Sequence, residues 1–129
     1  RIPAYKMKMA LPHIVPLSRQ AIVLIEELKP LTGNKQFVFY NHSTAKPLSN
    51  NALLSAIRTM GYTGKMTGHG FRGLASTTLH EQNYMHDAIE IQLAHTVGNA
   101  VSQAYNHAQH IKYRIKMMQD WADFIDSLR

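Results

Sequence analysis

Two short stretches hold the side chains that phosphoryl-transfer chemistry needs. Thr67-Gly68-His69-Gly70-Phe71-Arg72 sets a histidine and an arginine three residues apart at the start of an expected helix. At that spacing both side chains leave one face, and the first turn of a helix favours an anion through its N–H groups and dipole. Arg72 offers a two-pronged grip on phosphate oxygens that a lysine cannot imitate. Farther on, His95 stands at an expected helix end, and Tyr105 follows within Gln103-Ala104-Tyr105-Asn106-His107. A phenol has a free pKa of about 10 and is a poor nucleophile at neutral pH. It attacks only where a base or a cationic cluster stabilises the phenolate. His69, Arg72 and His95 supply that cluster if their helices fold back on one another.

Taken singly, each residue has a plainer explanation. His69 can cap its helix and Arg72 can be a solvated charge. His95 suits the end of a helix, where a structural histidine is common. Tyr105 can be an amphipathic surface residue like Tyr5, Tyr40, Tyr62, Tyr84 and Tyr113. Lys6 and Lys8 fall in a turn, where a long ammonium either reaches into a groove or stays in solvent. The pairs His80 with His86 and His107 with His110 have no third ligand and no HExxH pattern, so no metal and no other cofactor is expected.

The elements that must position these residues read as mostly helix after Gly70. Lys6-Met7-Lys8-Met9 and His13-Ile14-Val15-Pro16 read as two short strands around a turn, the second confined to an edge by Pro12 and Pro16. Ser18 is placed to cap a helix buried through Ala21, Ile22, Ile25 and Leu28, with Pro30 and Gly33 ending it. Phe37-Val38-Phe39 reads as a buried extended stretch. Ser49 opens a helix carrying Leu53, Ile57 and Met60, closed by Gly61. Helices are then expected over 70–81, buried through Phe71, Leu74, Ala75 and Thr78; over 86–94, with Ile89 and Leu93 inward; and over 99–106. A last helix over 111–128 has Ile111, Ile115, Met118, Trp121, Ile125 and Leu128 on one stripe.

The 129 residues amount to one domain. Its longest apolar runs are too short for a membrane span, and its first residues do not resemble a signal peptide. The absence of cysteine excludes a disulfide framework and thiolate-bound zinc, which points to an intracellular setting. Fourteen Lys and Arg against eight Asp and Glu give a net charge of +6, suited to a polyanionic partner. Nine of the basic residues and only two of the acidic ones precede Met66, so a phosphate-tracking surface is expected chiefly from the first half. The opening Arg1-Ile2-Pro3 has neither Met nor cap and reads as cut from a longer chain.

Taken together, these features resemble the C-terminal catalytic domain of tyrosine recombinases, the phage integrase family, and most closely integrases of prophages and genomic islands. Ile2-Pro3 with Met7-Lys8-Met9 and Pro12-His13-Ile14-Val15-Pro16-Leu17-Ser18 is similar to the lysine hairpin and the strand after it. Thr67 to Gly73 resembles the HxxR element, Leu93-Ala94-His95 the second histidine element, Ala104-Tyr105-Asn106 the nucleophile segment, and Lys112 to Asp123 the tail. HxxR alone is a weak signal; with His95 23 residues after Arg72 and Tyr105 ten further on, the set is specific.

The resemblance implies an α+β catalytic domain over residues 1–129, mostly α with a small N-terminal antiparallel β-sheet, truncated at its N-terminus. It implies cleavage and rejoining of DNA at specific sites through a 3′-phosphotyrosyl bond, without cofactor. Tyr105 is then the nucleophile, Arg72 and His95 act on the phosphate, His69 assists proton transfer at the tyrosine and Lys8 protonates the departing 5′-oxygen. Lys8 is preferred to Lys6 because it lies eight residues before Pro16, where the family's lysine lies. Lys6, Lys8, Arg72 and Lys65 are the expected DNA contacts. Implied partners are double-stranded attachment sites, a homotetramer on DNA, and accessory bending or excision proteins, in the bacterial cytoplasm at the nucleoid.

Four departures follow from the same resemblance. The family's first arginine and its core-binding domain have no counterpart in this chain, Gly73 replaces a frequent histidine, and Ala94 a frequent glycine. The fragment alone is therefore expected not to recombine DNA. A non-catalytic DNA-binding remnant of a prophage integrase is the alternative; a histidine-based metallohydrolase and type IB topoisomerase chemistry are more distant ones. The last helix is expected either to pack on its own domain or to dock on a neighbouring protomer.

Overall fold

The structure, a computed structural model, describes residues 1–8, 10–95 and 110–129. Five α-helices, a two-stranded sheet, a 3-10 turn and a π-turn make up the regular structure among these residues, the helices and strands being α1 (Arg19–Thr32), β1 (Tyr40–Asn41), β2 (Lys46–Pro47), α2 (Ala52–Ile57), α3 (Gly68–Glu81), α4 (His86–Gln92) and α5 (Ile111–Ser127). None of these helices is long and apolar enough to cross a membrane. The chain divides into two units, one of residues 1–19 with 75–129 and one of residues 20–74.

In the first unit the core is Leu79 of α3, Ala88 and Ile89 of α4, and Met117 of α5. Tyr84, Leu93, Tyr113, Met118 and Trp121 pack around it. The inward placing of Ile89 and Leu93 agrees with the sequence. The face of α5 agrees in part. Met118 and Trp121 of the expected stripe pack against the core, whereas Ile115, Ile125 and Leu128 are exposed and Arg114 and Met117 are the buried residues. The helix nevertheless packs within its own chain through Tyr113, Met117, Met118 and Trp121. Polar bonds fix its register. Tyr84 Oη donates to Asp120 Oδ2 at 2.5 Å, Lys116 also binds Asp120, and Met85 N–H donates to Tyr113 Oη at 2.9 Å.

Arg114 is fully buried, and burial lowers the pKa of its guanidinium. Its Nε and Nη2 donate to Gln92 Oε1, and Nη2 also donates to the Ile14 carbonyl. One cation thus joins the N-terminal segment, the end of α4 and the start of α5. Its Nη1 is buried without a partner among the described residues.

Both α3 and α4 end in the same reversal. Asn83 and Ala94 have φ of 61° and 57°, and each is followed by a residue whose N–H reaches back five positions: Tyr84 to Leu79, and His95 to Glu90. Glycine usually occupies this left-handed position.

The expected N-terminal strands are corrected. Ala4–Lys6 forms a 3-10 turn, and only an isolated bridge between Ile2 and His13 closes the loop. The Lys-Met alternation suggests a strand, but Lys6 N–H bonds the Pro3 carbonyl and Met7 N–H the Ala4 carbonyl, which closes a turn, and Pro12 and Pro16 lack the donors a ladder needs. Met9 lies outside the described residues. The sheet of the α+β class is instead in the second unit, an antiparallel pair with Tyr40 opposite Pro47 and Asn41 opposite Lys46. Its turn is set by Asn41, whose Oδ1 accepts from the N–H groups of Ser43 and Thr44.

Elsewhere in the second unit, α1 runs through Pro30 to Thr32. The proline costs only the bond to the Glu26 carbonyl, and Gly33 N–H then takes the Lys29 carbonyl at 2.8 Å. A Cβ on Gly33 would stand 2.5 Å from that oxygen, so Gly33 and not Pro30 ends the helix. Phe37-Val38-Phe39 is not a buried stretch, since Val38 and Phe39 are exposed; the strand begins at Tyr40. Ser49 precedes α2 by three residues, its carbonyl accepting from Ala52 N–H. A π-turn over Arg58–Tyr62 follows α2, and Gly61 closes it with φ 85°, a conformation natural to glycine. Within this unit Ile57 is buried, while Leu53, Met60, Phe71 and Leu74 are exposed.

Candidate active site

Lys65, His69 and Arg72 belong to the second unit. Thr67 caps α3: its Oγ1 accepts from Gly70 N–H at 3.0 Å, the bond that satisfies one orphan donor of a first helical turn. The cap is Thr67, not His69, which leaves the imidazole outside the capping role. His69 is exposed and Arg72 half-buried, one turn apart on the positive end of the helix. Arg72 has further interactions with its surroundings. Beside this first turn is an apolar cavity of about 300 Å³ lined by Ile57, Met60, Tyr62, Met66 and Phe71. Phe71 is the α3 residue that lines the cavity. Lys65 stands exposed on the turn leading into the helix.

Lys6, Lys8 and His95 belong to the first unit. Lys6 ends the 3-10 turn and Lys8 follows it, both exposed, on the loop closed by the Ile2–His13 bridge. His95 leaves α4 through the reversal at Ala94, and its Nδ1 lies 2.7 Å from Glu90 Oε2. Tyr105, the expected helix over 99–106 and His107 lie outside the described residues. The structure therefore brings His69 and Arg72 together on one helix and ties His95 to Glu90.

The remaining histidine pair is engaged with itself. His80 Nδ1 lies 2.7 Å from the Ser76 carbonyl and its Nε2 lies 3.0 Å from His86 Nδ1. A carbonyl only accepts, so His80 donates from Nδ1. Among the described residues no group of three metal-capable side chains occurs. Glu90 and Arg114 were not singled out by sequence reasoning. The five-residue step from Glu90 to His95 is not a helical neighbour spacing, and only the position of Ala94 as a helix-ending residue hinted at it.

Comparison with known proteins agrees along nearly the whole chain. Residues 1–111 match the phage integrase family. The chain is 47% identical over 128 residues to the prophage integrase IntZ of Escherichia coli strain K12, covering 98% of this chain and 32% of that protein. It is 46% identical over 128 residues to the integrase of Enterobacteria phage P4, covering 95% and 29% respectively. To the integrase of Shigella phage Sf6 it is 44% identical over 127 residues, covering 97% and 33%. The chain thus spans about a third of the length of the curated relatives it matches. No solved structure matches significantly.

Proposed function

The chain belongs to the phage integrase family, and from that premise we propose that it is the catalytic portion of a site-specific DNA recombinase serving phage or prophage integration and excision. The observation that carries this reading is the extent of the family match, residues 1–111, which spans Lys8, His69, Arg72, His95 and Tyr105 together.

In the proposed reaction the Tyr105 oxygen attacks a DNA phosphorus while the bond to the 5′-oxygen breaks. His69 assists removal of the phenol proton, and Lys8 supplies a proton to the departing oxygen. Arg72 and His95 meet the charge that develops on the non-bridging oxygens. The product is a 3′-phosphotyrosyl bond and a free 5′-hydroxyl, and a partner strand's 5′-hydroxyl reverses the step. The energy of the phosphodiester stays in the covalent intermediate, so no energy-rich compound is consumed. The placement of His69 and Arg72 at the capped start of α3 supports their roles, because that end of a helix favours phosphate. Lys6, Lys8, Lys65 and Arg72 track the DNA backbone, a sequence-independent contribution weakened by salt. Double-stranded attachment sites are the substrate, and a tetramer on DNA, with accessory bending or excision proteins, is the working assembly.

Residues 1–129 are assigned as the C-terminal catalytic domain of a longer integrase, the family's first arginine and core-binding domain lying outside them. The test uses a full-length integrase carrying these residues and a suicide DNA substrate that traps the covalent complex. A DNA adduct is expected, and none from Tyr105→Phe. Equal adduct from both proteins would remove Tyr105 as the nucleophile, and no adduct from either would favour a DNA-binding remnant. The isolated 129 residues are expected to give no robust adduct with a nicked half-site.

A further inference from the structure

We propose that Glu90 is the positioning residue of His95: it fixes the tautomer and direction of the imidazole so that Nε2 is the nitrogen presented to the DNA phosphate. The proposal rests on the assignment of His95 to the reaction made above.

Beyond α4 the chain reverses at Ala94, with Ala94 N–H bonded to the Ile91 carbonyl at 3.0 Å and His95 N–H to the Glu90 carbonyl at 2.9 Å. These two bonds lock the end of a helix and lay His95 back against the turn that carries Glu90. The Glu90 carboxylate then takes the ring, with Oε2 2.7 Å from Nδ1. One residue holds His95 twice, by its backbone carbonyl and by its side chain.

The chemistry follows from what each atom can do. A carboxylate only accepts, so the shared proton belongs to Nδ1. In the neutral ring Nε2 then carries the lone pair, and in the charged ring it carries an N–H. All exchange with the phosphate is thereby directed to one nitrogen: the charged ring donates to a non-bridging oxygen, and the neutral ring takes up a proton at the same atom. The exposures fit this division, since the Glu90 side chain is 22% exposed and that of His95 50%. The carboxylate lies on the protein side, and much of the ring is open to a ligand. Without Glu90 the ring has no fixed tautomer and can turn about its side-chain bonds.

The test has two parts. Long-range 1H–15N NMR spectra of the 15N-labelled 129-residue chain, at a pH where imidazoles are neutral, report which ring nitrogen carries the proton; His95→Gln assigns the signal. Protonated Nδ1 is expected, the opposite of the form a free histidine side chain prefers. Glu90→Gln should keep it, because the amide oxygen also accepts, and Glu90→Ala should revert to protonated Nε2. Protonated Nε2 in the unchanged chain, or an unaltered tautomer in Glu90→Ala, overturns the proposal. These readings need no DNA, so they are independent of whether Tyr105 cleaves. If Glu90→Ala does not fold, the tautomers of the unchanged chain and of Glu90→Gln decide.

The second part measures adduct formation on the suicide substrate in the full-length integrase. Glu90→Ala is expected to slow it at least about tenfold, the scale of loss from a misplaced catalytic group, and Glu90→Gln to restore most of the rate. An unslowed Glu90→Ala protein overturns the proposal. If the unchanged protein forms no adduct, the recombinase reading fails and the tautomer alone decides the place of Glu90.

Discussion

Ile89 is 0% exposed and Leu24 60% exposed, although both are branched aliphatic residues inside helices. The difference runs through the two units. In residues 75–129, α4 and α5 each turn one side to a shared core, and tyrosines with polar tips close its edge. In residues 20–74, Ile22, Val23, Leu24 and Ile25 follow one another along α1, which spreads apolar surface around the helix so that one neighbour cannot cover it all. Ile57 is the buried aliphatic residue there. Burial of apolar surface dominates stability, so the first unit is its main seat. The second unit carries the start of α3, with His69 and Arg72, on a less buried framework.

The contrast fails if the last helix can be removed cheaply. Deleting residues after Arg114 takes away Met117, Met118 and Trp121, and the first unit should unfold, seen as lost amide protection at Leu79 and Ile89. At single residues, Met117→Ala should cost about 2–5 kcal/mol and Leu53→Ala no more than about 0.5 kcal/mol, both read from urea midpoints. Comparable losses at the two sites would erase the distinction.

Arg114→Ala is the next largest effect. It leaves Gln92 Oε1 and the Ile14 carbonyl without their charged donor, and a loss of about 2–3 kcal/mol is expected. Ala94→Gly should act in the other direction, stabilising by about 1 kcal/mol, because a Cβ is unfavourable at φ 57°.

The smallest effect sharpens the contrast by pH. Burial, and then the bond to Asp120, push Tyr84 up to about 12. The folded state keeps a proton that the unfolded chain releases at about pH 10, so this stabilisation is complete below 10 and disappears as pH rises through 12. Thermal melts between pH 9 and 12 should show it, and Tyr84→Phe should flatten the slope. Asp120 works in the opposite range. Its bonds from Lys116 and Tyr84 hold it below the usual carboxylate value, so its contribution is present above that usual value and is lost as pH falls through the lowered one.

The sequence made the helices over α3, α4 and α5 legible to within two residues, because their apolar spacing is strong and their ends carry turn residues. Gly61 and Gly33 were legible for the same local reason. The Lys-Met alternation near the N-terminus misled, since alternation reports a strand only where backbone donors are available to pair. Periodicity placed Met118 and Trp121 of α5 inward but not Arg114, which counts as polar yet is held by a distant carbonyl and Gln92. Of the proposed site, residue types and their order point to His69, Arg72 and His95, whereas chain order carries no information about a neighbour such as Glu90 brought in by a reversal. The surroundings of Tyr105 lie outside the described residues.

The left-handed exit at Ala94 works as a gauge of length. Adding or removing one residue in the final turn of α4 would swing the departing chain by about 100°, carrying the imidazole off its carboxylate without altering either side chain. Selection on the protein would then bear on the count of residues from 90 to 95 as firmly as on their identities, so a one-residue indel there should be more damaging than most substitutions of the residues between.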